Sequence, residues 1–333
     1  MKKKNTIIIA EAGVNHNGSL ILAKKLVNAA KAAGADIVKF QTFVTENIVI
    51  QSAKKAIYQK KYNPKQTQYS MLKNLELSFE DFRIISKMCL KKKIEFLSTG
   101  FDISSLKFLN SIKQKKFKIP SGEITNYPLL KFIGSKKKEI ILSTGMSNLK
   151  EIDSAIKVLT KYGTPLKKIT ILHCTSAYPV KTADVNLKAM VTLKNQFGTE
   201  VGYSDHSIGI EAPVIAVSLG AKIIEKHLTL NRKFSGPDHR SSIDPKNFKE
   251  MVLAIRKTEE YLGSHEKMVT KSEKKNRDLV RKSVVALKEI KKGDIFNEKN
   301  LTTKRPGIGT SPMKWKEIIG KKARKNFRKN ELI

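Results

Sequence analysis

Two histidines, His206 and His227, follow two consecutive β-branched runs of the sequence, a placement that is typical of a divalent-metal site. Imidazoles that converge at an open site bind such a metal and leave coordination positions for substrate. A single histidine is more often structural, but Asp205 next to His206 and Glu225 two residues before His227 add carboxylates nearby. Glu11 ends the first β-branched run and would lie beside the last one. The pattern favours a metal on the two histidines, and spacing alone leaves structural histidines as the alternative.

Lysine and hydroxyl side chains end most of the other β-branched runs, and they form a second candidate set: Lys39, Lys118, Ser121, Ser143 and Thr144. Cationic and hydroxyl donors together suit an oxyanion such as phosphate or carboxylate. Alternatively, the lysines extend along the surface and the serines cap helices. That alternative explains poorly why so many polar groups occur where runs end. The sequence has no Walker loop and no GxGxxG motif, so the set predicts an anionic substrate rather than a nucleotide.

Eight short β-branched runs alternate with helical stretches, and these elements must position the residues above. Eight strand–helix repeats predict a closed parallel barrel, the (β/α)8 or TIM barrel, whose active sites lie at the carboxyl ends of the strands. The predicted strands are 6–12, 37–43, 94–99, 117–120, 139–143, 169–174, 201–203 and 223–226.

Three further local signals refine the barrel. Ser78 with Asp81 predicts a capping box for the helix before strand three. A last barrel helix is expected over 245–262. The long polar loop from strand two to about Thr67 is expected to be a functional lid.

The pattern changes after the barrel. We expect the barrel domain over 1–262, a polar linker with some helix over 263–281, and a small β-rich domain over 282–333. Within the last, strands are predicted over 283–287 and 301–305. A domain of this size buries little apolar surface and is expected to need a partner surface.

The net charge of +35 over 333 residues raises the question of a polyanionic partner. Basic proteins gain affinity for nucleic acid by releasing counterions, so a nucleic-acid-binding protein is the non-enzyme alternative. The lysines, however, are dispersed in small clusters without interleaved aromatic residues. We therefore expect no nucleic-acid partner, and a lysine-rich surface that attracts anionic substrates in general.

Compartment signals are few. The first apolar run stops at Glu11 and is too short for a signal peptide or a membrane span. Two cysteines, Cys89 and Cys174, cannot form a disulfide framework, and their scarcity fits a reducing compartment. We expect a cytoplasmic protein without a membrane partner.

A series of motifs, in order along the chain, resembles those of the sialic acid synthases. They are AEAGVNHNG (10–18), VKFQTF (38–43), KIPSGE (118–123), LSTGM (142–146), LHCT (172–175) with YP (178–179), YSDH (203–206), EKH (225–227), GPDH (236–239) and KRPG (304–307). The tail from about Ser283 resembles the antifreeze-like (SAF) domain of these enzymes. The resemblance spans essentially the whole chain.

This resemblance implies a reaction. Phosphoenolpyruvate would condense with the open-chain aldehyde of an N-acylated hexosamine, in the first instance N-acetylmannosamine, to give a nine-carbon 2-keto acid and phosphate. C3 of phosphoenolpyruvate attacks the aldehyde, water captures the cation at C2, and phosphate leaves with C–O cleavage. A divalent metal on His206 and His227, Mn²⁺ first and Mg²⁺ or Co²⁺ as alternatives, would polarise the aldehyde as a Lewis acid.

The resemblance also assigns residues by matched position. Those matching phosphoenolpyruvate-binding positions are Lys39, Thr99, Lys118, Ser121, Ser143, Ser176 and Ser204. Those matching positions around the amino sugar are Glu11, Gln41, Glu123, Tyr178, Asp238 and Arg305, of which Glu11, Glu123, Asp238 and Arg305 are expected to be catalytic. Asp205 is expected to orient His206 rather than bind metal.

Arg305 matches the arginine that the tail domain of one subunit delivers to the sugar site of the other. The resemblance thus implies a domain-swapped homodimer, which would supply the partner surface that the small tail lacks.

Two positions depart from the family's pattern. Gly100 stands where proline is usual, so the loop after strand three is expected to be looser. Ser176 stands where some members have asparagine, which leaves one polar contact of the anion site in question.

Alternatives remain within the family and outside it. Synthases of N,N'-diacetyllegionaminic or pseudaminic acid use a 2,4-diacetamido-6-deoxy hexose, and the FQTF and GPDH motifs look nearer the neuraminate and legionaminate branches than the pseudaminate branch. A Schiff-base aldolase using Lys118 is a further enzyme class.

Overall fold

The computed structural model describes residues 5–55 and 66–333 of the chain. The chain divides after Gly263 into two compact units, which are described separately below. Across these described residues, no helix has the length and apolar character needed to cross a membrane.

The first unit is built on eight parallel strands, which confirms the predicted TIM barrel. The strands are β1 Ile7–Gly13, β2 Ile37–Thr42, β3 Glu95–Gly100, β4 Lys116–Ile119, β5 Glu139–Ser143, β6 Ile169–Cys174, β7 Glu200–Asp205 and β8 Ile223–His227. Strands β5 and β6 have the predicted bounds. The predicted ends of β7 and β8 were too early, because Ser204 and Asp205 still pair with β8 and His227 still pairs with Glu11 of β1.

Helices alternate with these strands: α1 Leu20–Ala32, α2 Thr45–Ile48, α3 Gln68–Leu75, α4 Phe79–Lys92, α5 Ile103–Ser111, α6 Tyr127–Ser135, α7 Leu149–Lys161, α8 Lys188–Phe197, α9 Glu211–Ser218 and α10 Pro245–Leu262. The capping box of Ser78 and Asp81 is present at the start of α4, and the predicted α10 is confirmed. The predicted loop after β2 contains α2 and leads into α3, and its stretch 56–65 lies outside the described residues.

Inside the barrel, alternate residues of each strand form layers. Buried aliphatic side chains make one layer: Ile9, Ile37, Leu97, Ile141, Leu172 and Ile223. Because strand side chains alternate with a period of two, the residues two positions further along face the same interior. These are Glu11, Lys39, Thr99, Ser143, Cys174 and Glu225, all of which line one cavity. The same alternation that builds the core therefore delivers a polar layer to the carboxyl ends.

The seam between β3 and β4 is closed by the side chain of Gln114. These strands are the two ends of the hydrogen-bonded order β3-β2-β1-β8-β7-β6-β5-β4, and they pack against each other. The Oε1 atom of Gln114 accepts from the amide of Ser98 at 2.8 Å. Its Nε2 atom donates to the carbonyl oxygens of Ser98 and Lys116 at 3.0 and 2.9 Å. One buried amide thus replaces backbone pairing and fixes the strand ends that carry Thr99 and Lys118.

The second unit spans Ser264–Ile333 and has its own core. It contains α11 Lys271–Val280, the antiparallel strands β9 Ser283–Ala286 and β10 Leu301–Lys304, and α12 Trp315–Ile318. Its buried apolar residues are Val284, Ala286, Ile290, Phe296, Leu301, Ile318, Ala323 and Phe327. The helix expected within the linker is α11, which begins with a capping box of Thr270 and Glu273.

Candidate active site

A cavity of about 380 Å³ opens at the carboxyl ends of the barrel strands. It collects nearly all of the residues that the sequence pointed to: Glu11, Lys39, Gln41, Thr99, Lys118, Ser121, Ser143, Ser176, Tyr178, Ser204, His206, His227 and Asp238. The structure therefore brings the anion-binding set, apart from Thr144, and the histidine pair into one site.

The floor of the cavity is a ring of four buried charges, two lysines and two glutamates. Lys39 Nζ lies 2.7 Å from Glu11 Oε2 and 3.7 Å from Glu225 Oε1. Lys118 Nζ lies 3.6 Å from the same Glu225 oxygen. Glu225 is thus shared between both lysines, a role that its position near His227 did not reveal. We call these four residues the charge ring.

Burial and the neighbouring charges shift the pKa values of all four residues in the charge ring. Burial alone would lower the pKa of Lys39, but the carboxylates of Glu11 and Glu225 outweigh burial and raise it. Burial raises the pKa of Glu225, yet Lys118 and Lys39 outweigh it and hold the pKa below its usual value. For Lys118 burial dominates and lowers the pKa. Burial raises the pKa of Glu11 to about 7, so this carboxyl group exchanges its proton near neutral pH.

Hydroxyl groups surround the lysines of the charge ring. Thr99 Oγ1 accepts from Lys39 Nζ at 3.3 Å, and Ser143 Oγ accepts from Lys118 Nζ at 2.6 Å. Ser204 Oγ donates to Glu225 at 3.1 Å. Each cation therefore has a hydroxyl partner that an incoming oxyanion can replace or join.

Gly145 allows two more hydroxyls to approach. Its amide donates to Ser121 Oγ at 2.9 Å. A Cβ atom at this position would overlap with Ser176 Oγ and lie 2.9 Å from Ser121 Oγ. Glycine is required here because any side chain would displace these two cavity-lining serines.

The imidazoles of His206 and His227 lie next to each other in the cavity lining, with ring centroids 5.4 Å apart and ring planes tilted by 52°. His206 Nδ1 lies 2.8 Å from the carbonyl oxygen of Thr175. A carbonyl oxygen only accepts, so Nδ1 carries a proton, and Nε2 is the nitrogen that would bind a metal. Burial would lower the pKa of His206, but Cys174 and the carbonyl oxygen of Thr175 outweigh burial and raise it, so metal binding at Nε2 would displace a proton. The ring of Tyr178 packs at 4.2 Å from that of His206 and 5.9 Å from that of His227.

The chemistry of this pair fits a divalent metal. Burial, followed by the nearby His206, lowers the pKa of His227 well below its usual value, so its imidazole is neutral. His227 Nδ1 is buried without a hydrogen-bond partner in the structure and lies 4.0 Å from Asp238 Oδ2. Among residues 5–55 and 66–333, no three His, Cys, Asp or Glu side chains surround a common metal position. The candidate ligands from the chain are therefore two histidines, which leave positions open for substrate and water.

Asp238 is placed by a buried hydrogen-bond relay. Ser242 Oγ donates to the carbonyl oxygen of Asp238 at 2.6 Å, and Asn15 Nδ2 donates to Ser242 Oγ at 2.9 Å. Burial raises the pKa of Asp238 to about 6. The loop between β8 and α10 is thus tied to the loop after β1, which holds its carboxylate in the cavity.

One side of the cavity is apolar, and the sequence reasoning missed it. Val14, Met71, Leu72, Leu75 and Phe101 line this side, and we call them the apolar wall. They belong to one small apolar cluster of the barrel unit. Three of the five come from α3, which begins just after the end of the predicted polar loop and to which the sequence reasoning assigned no element. The i, i+1, i+4 spacing of the α3 residues was the available signal.

Three predicted residues lie outside the cavity lining as described. Thr144 is buried directly after β5, where its Oγ1 donates to the carbonyl oxygen of Leu172 at 2.9 Å. Glu123 is on the single turn after β4, where its Oε2 accepts from Asn126 Nδ2 at 2.6 Å. Arg305 lies in the second unit, where its exposed side chain donates from Nε to the carbonyl oxygen of Val280 at 2.9 Å. Their expected roles remain predictions.

Gly100, the last residue of β3, lies where a larger residue would contact the helix that follows. A Cβ atom here would lie 2.8 Å from the Leu106 side chain. The following Asp102 carboxylate accepts from the amides of Val44 and Ser105 at 3.0 and 2.9 Å, which ties this loop to the one after β2.

Comparison with known proteins identifies the family of the chain. The profile of the NeuB family matches residues 26–267, and the profile of the SAF domain matches residues 281–333. The chain belongs to the NeuB family. The resemblance inferred from the motifs is thereby confirmed.

Two curated relatives of this NeuB-family chain have the same name. The chain is 51% identical over 331 residues to the N,N'-diacetyllegionaminic acid synthase of Campylobacter jejuni, and the match covers 99% of both chains. It is 49% identical over 323 residues to that of Legionella pneumophila, covering 96% of this chain and 91% of the relative. A solved structure, the N-acetylneuraminic acid synthetase of Leptospira borgpetersenii, is 34% identical with a TM-score of 0.72, covering 82% of this chain and 90% of that one.

Proposed function

We propose that this protein condenses phosphoenolpyruvate with the open-chain aldehyde of a 2,4-diacetamido-6-deoxy hexose, releasing N,N'-diacetyllegionaminate and phosphate. The observation that carries the proposal is the composition of the cavity, which combines a charge ring at its floor with an apolar wall at its side. Identities of 51% and 49% to the two N,N'-diacetyllegionaminic acid synthases support this acceptor.

The charge ring suits the donor substrate. Phosphoenolpyruvate has a phosphate and a carboxylate, and Lys39 and Lys118 each hold a buried ammonium at the floor. Charge-assisted hydrogen bonds to oxyanions are among the strongest that a protein makes. Thr99 and Ser143, already bonded to these ammonium groups, would complete the anion site.

His206 and His227 would hold the divalent metal, Mn²⁺ in the first instance. When bound, the metal would supply Lewis-acid polarisation of the aldehyde. Gln41, Tyr178 and Asp238 would contact the amino sugar around that point.

Glu11 would transfer the protons that the reaction moves. Water that adds to C2 loses one proton, and the oxygen of the former aldehyde gains one. Glu11, with a pKa of about 7, contacts Lys39 and accepts a hydrogen bond from Gln41, so it would accept the first proton and supply the second. Cleavage of the C2–O bond then releases phosphate, which takes the proton of the C2 hydroxyl as the ketone forms.

The apolar wall favours a deoxy sugar with two acetamido groups. Burial of a methyl group contributes about 0.8 kcal/mol, whereas a hydroxyl group against an apolar surface loses hydrogen bonds. N-acetylmannosamine has hydroxyl groups at C4 and C6, where the proposed sugar has an acetamido group and a methyl group. It stays the second candidate acceptor because the Leptospira relative is named a neuraminic acid synthetase.

The working unit would be a domain-swapped homodimer, in which Arg305 of one chain reaches the sugar site of the other. The exposed position of Arg305 in the second unit leaves its guanidinium accessible for that contact.

The test is phosphate release from phosphoenolpyruvate with each sugar in parallel, with EDTA and then with Mn²⁺ restored. We expect release with the diacetamido sugar at the higher kcat/KM, loss in EDTA, and recovery with Mn²⁺. Faster turnover of N-acetylmannosamine would select the second candidate. Absence of release with any amino sugar, metal restored, would overturn the proposal.

A further inference from the structure

Each histidine of the proposed metal pair is preceded by a buried charged residue whose side chain points away from the cavity. Asp205 precedes His206 on β7, and Lys226 precedes His227 on β8. The register places Asp205 directly opposite Lys226. Because strand side chains alternate, both point away from the cavity that their neighbours line. Their side chains are 0% and 1% exposed.

These two side chains form a closed polar cluster behind the site. Lys226 Nζ forms an ion pair with Asp205 Oδ2 and donates to the carbonyl oxygen of Ser207 at 2.8 Å. Asp205 Oδ1 accepts from the hydroxyl of Tyr203 at 3.0 Å and from the amide of Ser207 at 2.9 Å. Both carboxylate oxygens of Asp205 are therefore used, and the residue is not available as a metal ligand.

The cluster fixes His206 from both sides. His206 lies between Asp205 and Ser207, and both are bonded to the one ammonium group of Lys226. That lysine is itself the residue before His227. The backbone segments that carry the two imidazoles, already neighbours in the sheet, are thus also joined through the side chain of Lys226. A buried ion pair contributes little net stability compared with apolar residues of similar volume, so a gain in stability does not by itself account for this pair.

We propose that Lys226 and Asp205 are positioning residues that fix the separation of His206 and His227 and thereby set the affinity for the divalent cation. This inference rests on the proposed metal site. It extends the sequence expectation that Asp205 orients His206, because the orientation acts through Lys226 and reaches both histidines.

The test compares Lys226→Met, Asp205→Asn and the double variant with the unmodified protein. Three quantities are measured: Mn²⁺ affinity by calorimetric titration, phosphoenolpyruvate affinity in EDTA, and the melting temperature. Loss of a residue that orients metal ligands typically costs about 10- to 100-fold in metal affinity. We expect that loss for Mn²⁺ in all three variants, while phosphoenolpyruvate affinity stays within about twofold, since its lysines lie on β2 and β4.

The double variant separates positioning from folding. It removes both charges together, so no unpaired buried charge remains and the fold is expected to be retained. Lys116→Met is the matched control, because Lys116 Nζ pairs with Glu95 at 3.0 Å at the opposite end of the barrel. The control should bind Mn²⁺ like the unmodified protein.

Two results would overturn the inference. One is a double variant that binds Mn²⁺ within about twofold of the unmodified protein. The other is a parallel loss of Mn²⁺ and phosphoenolpyruvate affinity in the variants, which would mean general loosening. Failure of the unmodified protein to bind Mn²⁺ would instead refute the metal site itself.

Discussion

Replacing Lys118 by Met should weaken phosphoenolpyruvate binding strongly without unfolding the barrel. The change removes an ammonium that lies 2.6 Å from Ser143 Oγ and 3.6 Å from Glu225 Oε1. A hydrogen bond to a charged group contributes about 1.5–3 kcal/mol, and about 1.4 kcal/mol is tenfold in affinity. KM for phosphoenolpyruvate should therefore rise about 10- to 100-fold. The charge ring also becomes net negative, which acts in the same direction.

Lys116→Met is the matched control, two residues earlier on the same strand. Its ammonium pairs with Glu95 and Glu139 at the amino end of β4, away from the cavity. Phosphate release with varied phosphoenolpyruvate should give an unchanged KM for this variant. A folded Lys118→Met protein with KM within twofold of the unmodified value would refute the anion-site reasoning. Borohydride with pyruvate should trap no adduct on Lys118, and a trapped adduct would favour the Schiff-base alternative.

Three further changes address other parts of the protein. Arg305→Ala should raise KM for the amino sugar and leave KM for phosphoenolpyruvate unchanged. A KM for the amino sugar equal to that of the unmodified protein would argue against an arginine supplied by the partner subunit. Leu72→Asn removes apolar contact worth about 1–2 kcal/mol, so kcat/KM for the diacetamido sugar should fall about 5- to 30-fold, and kcat/KM for N-acetylmannosamine should fall less. Leu90→Asn, on the exposed side of α4, is the control. Equal losses with both sugars would disprove a selective wall. Gln114→Ala removes three hydrogen bonds at the β3–β4 seam and should lower the free energy of unfolding by about 2–4 kcal/mol. The control Gln196→Ala, at an exposed position, should change that free energy by less than about 0.5 kcal/mol. Urea denaturation measures both variants, and similar midpoints would show that the seam does not depend on the Gln114 amide.

The barrel and most of the cavity lining were predictable because they depend on local alternation. A polar residue two positions beyond a buried aliphatic one, as in Ile37 and Lys39, marks a strand end that faces the interior. The ends of β7 and β8 were placed too early because Ser204, Asp205 and His227 are polar, and only their pairing with neighbouring strands extends the two elements.

Relations between distant segments could not be inferred in the same way. Glu225 was visible as a carboxylate near His227, but its two lysines come from β2 and β4, and no local pattern encodes that meeting. The seam amide of Gln114 reads as an ordinary loop residue in the sequence. The apolar wall depends on where α3 lies after a long polar stretch, which composition does not specify.

The origin of the apolar wall has a consequence for how this enzyme family diversifies. The charge ring is part of the repeating strand pattern, so its side chains lie on the same strands that form the core. The wall comes mainly from α3, an eight-residue helix inserted between β2 and the helix that precedes β3. On the proposed function, the part of acceptor recognition that the wall supplies would therefore lie in a segment separable from the donor site. We expect that exchanging 68–75 between relatives would transfer sugar preference while leaving the use of phosphoenolpyruvate intact.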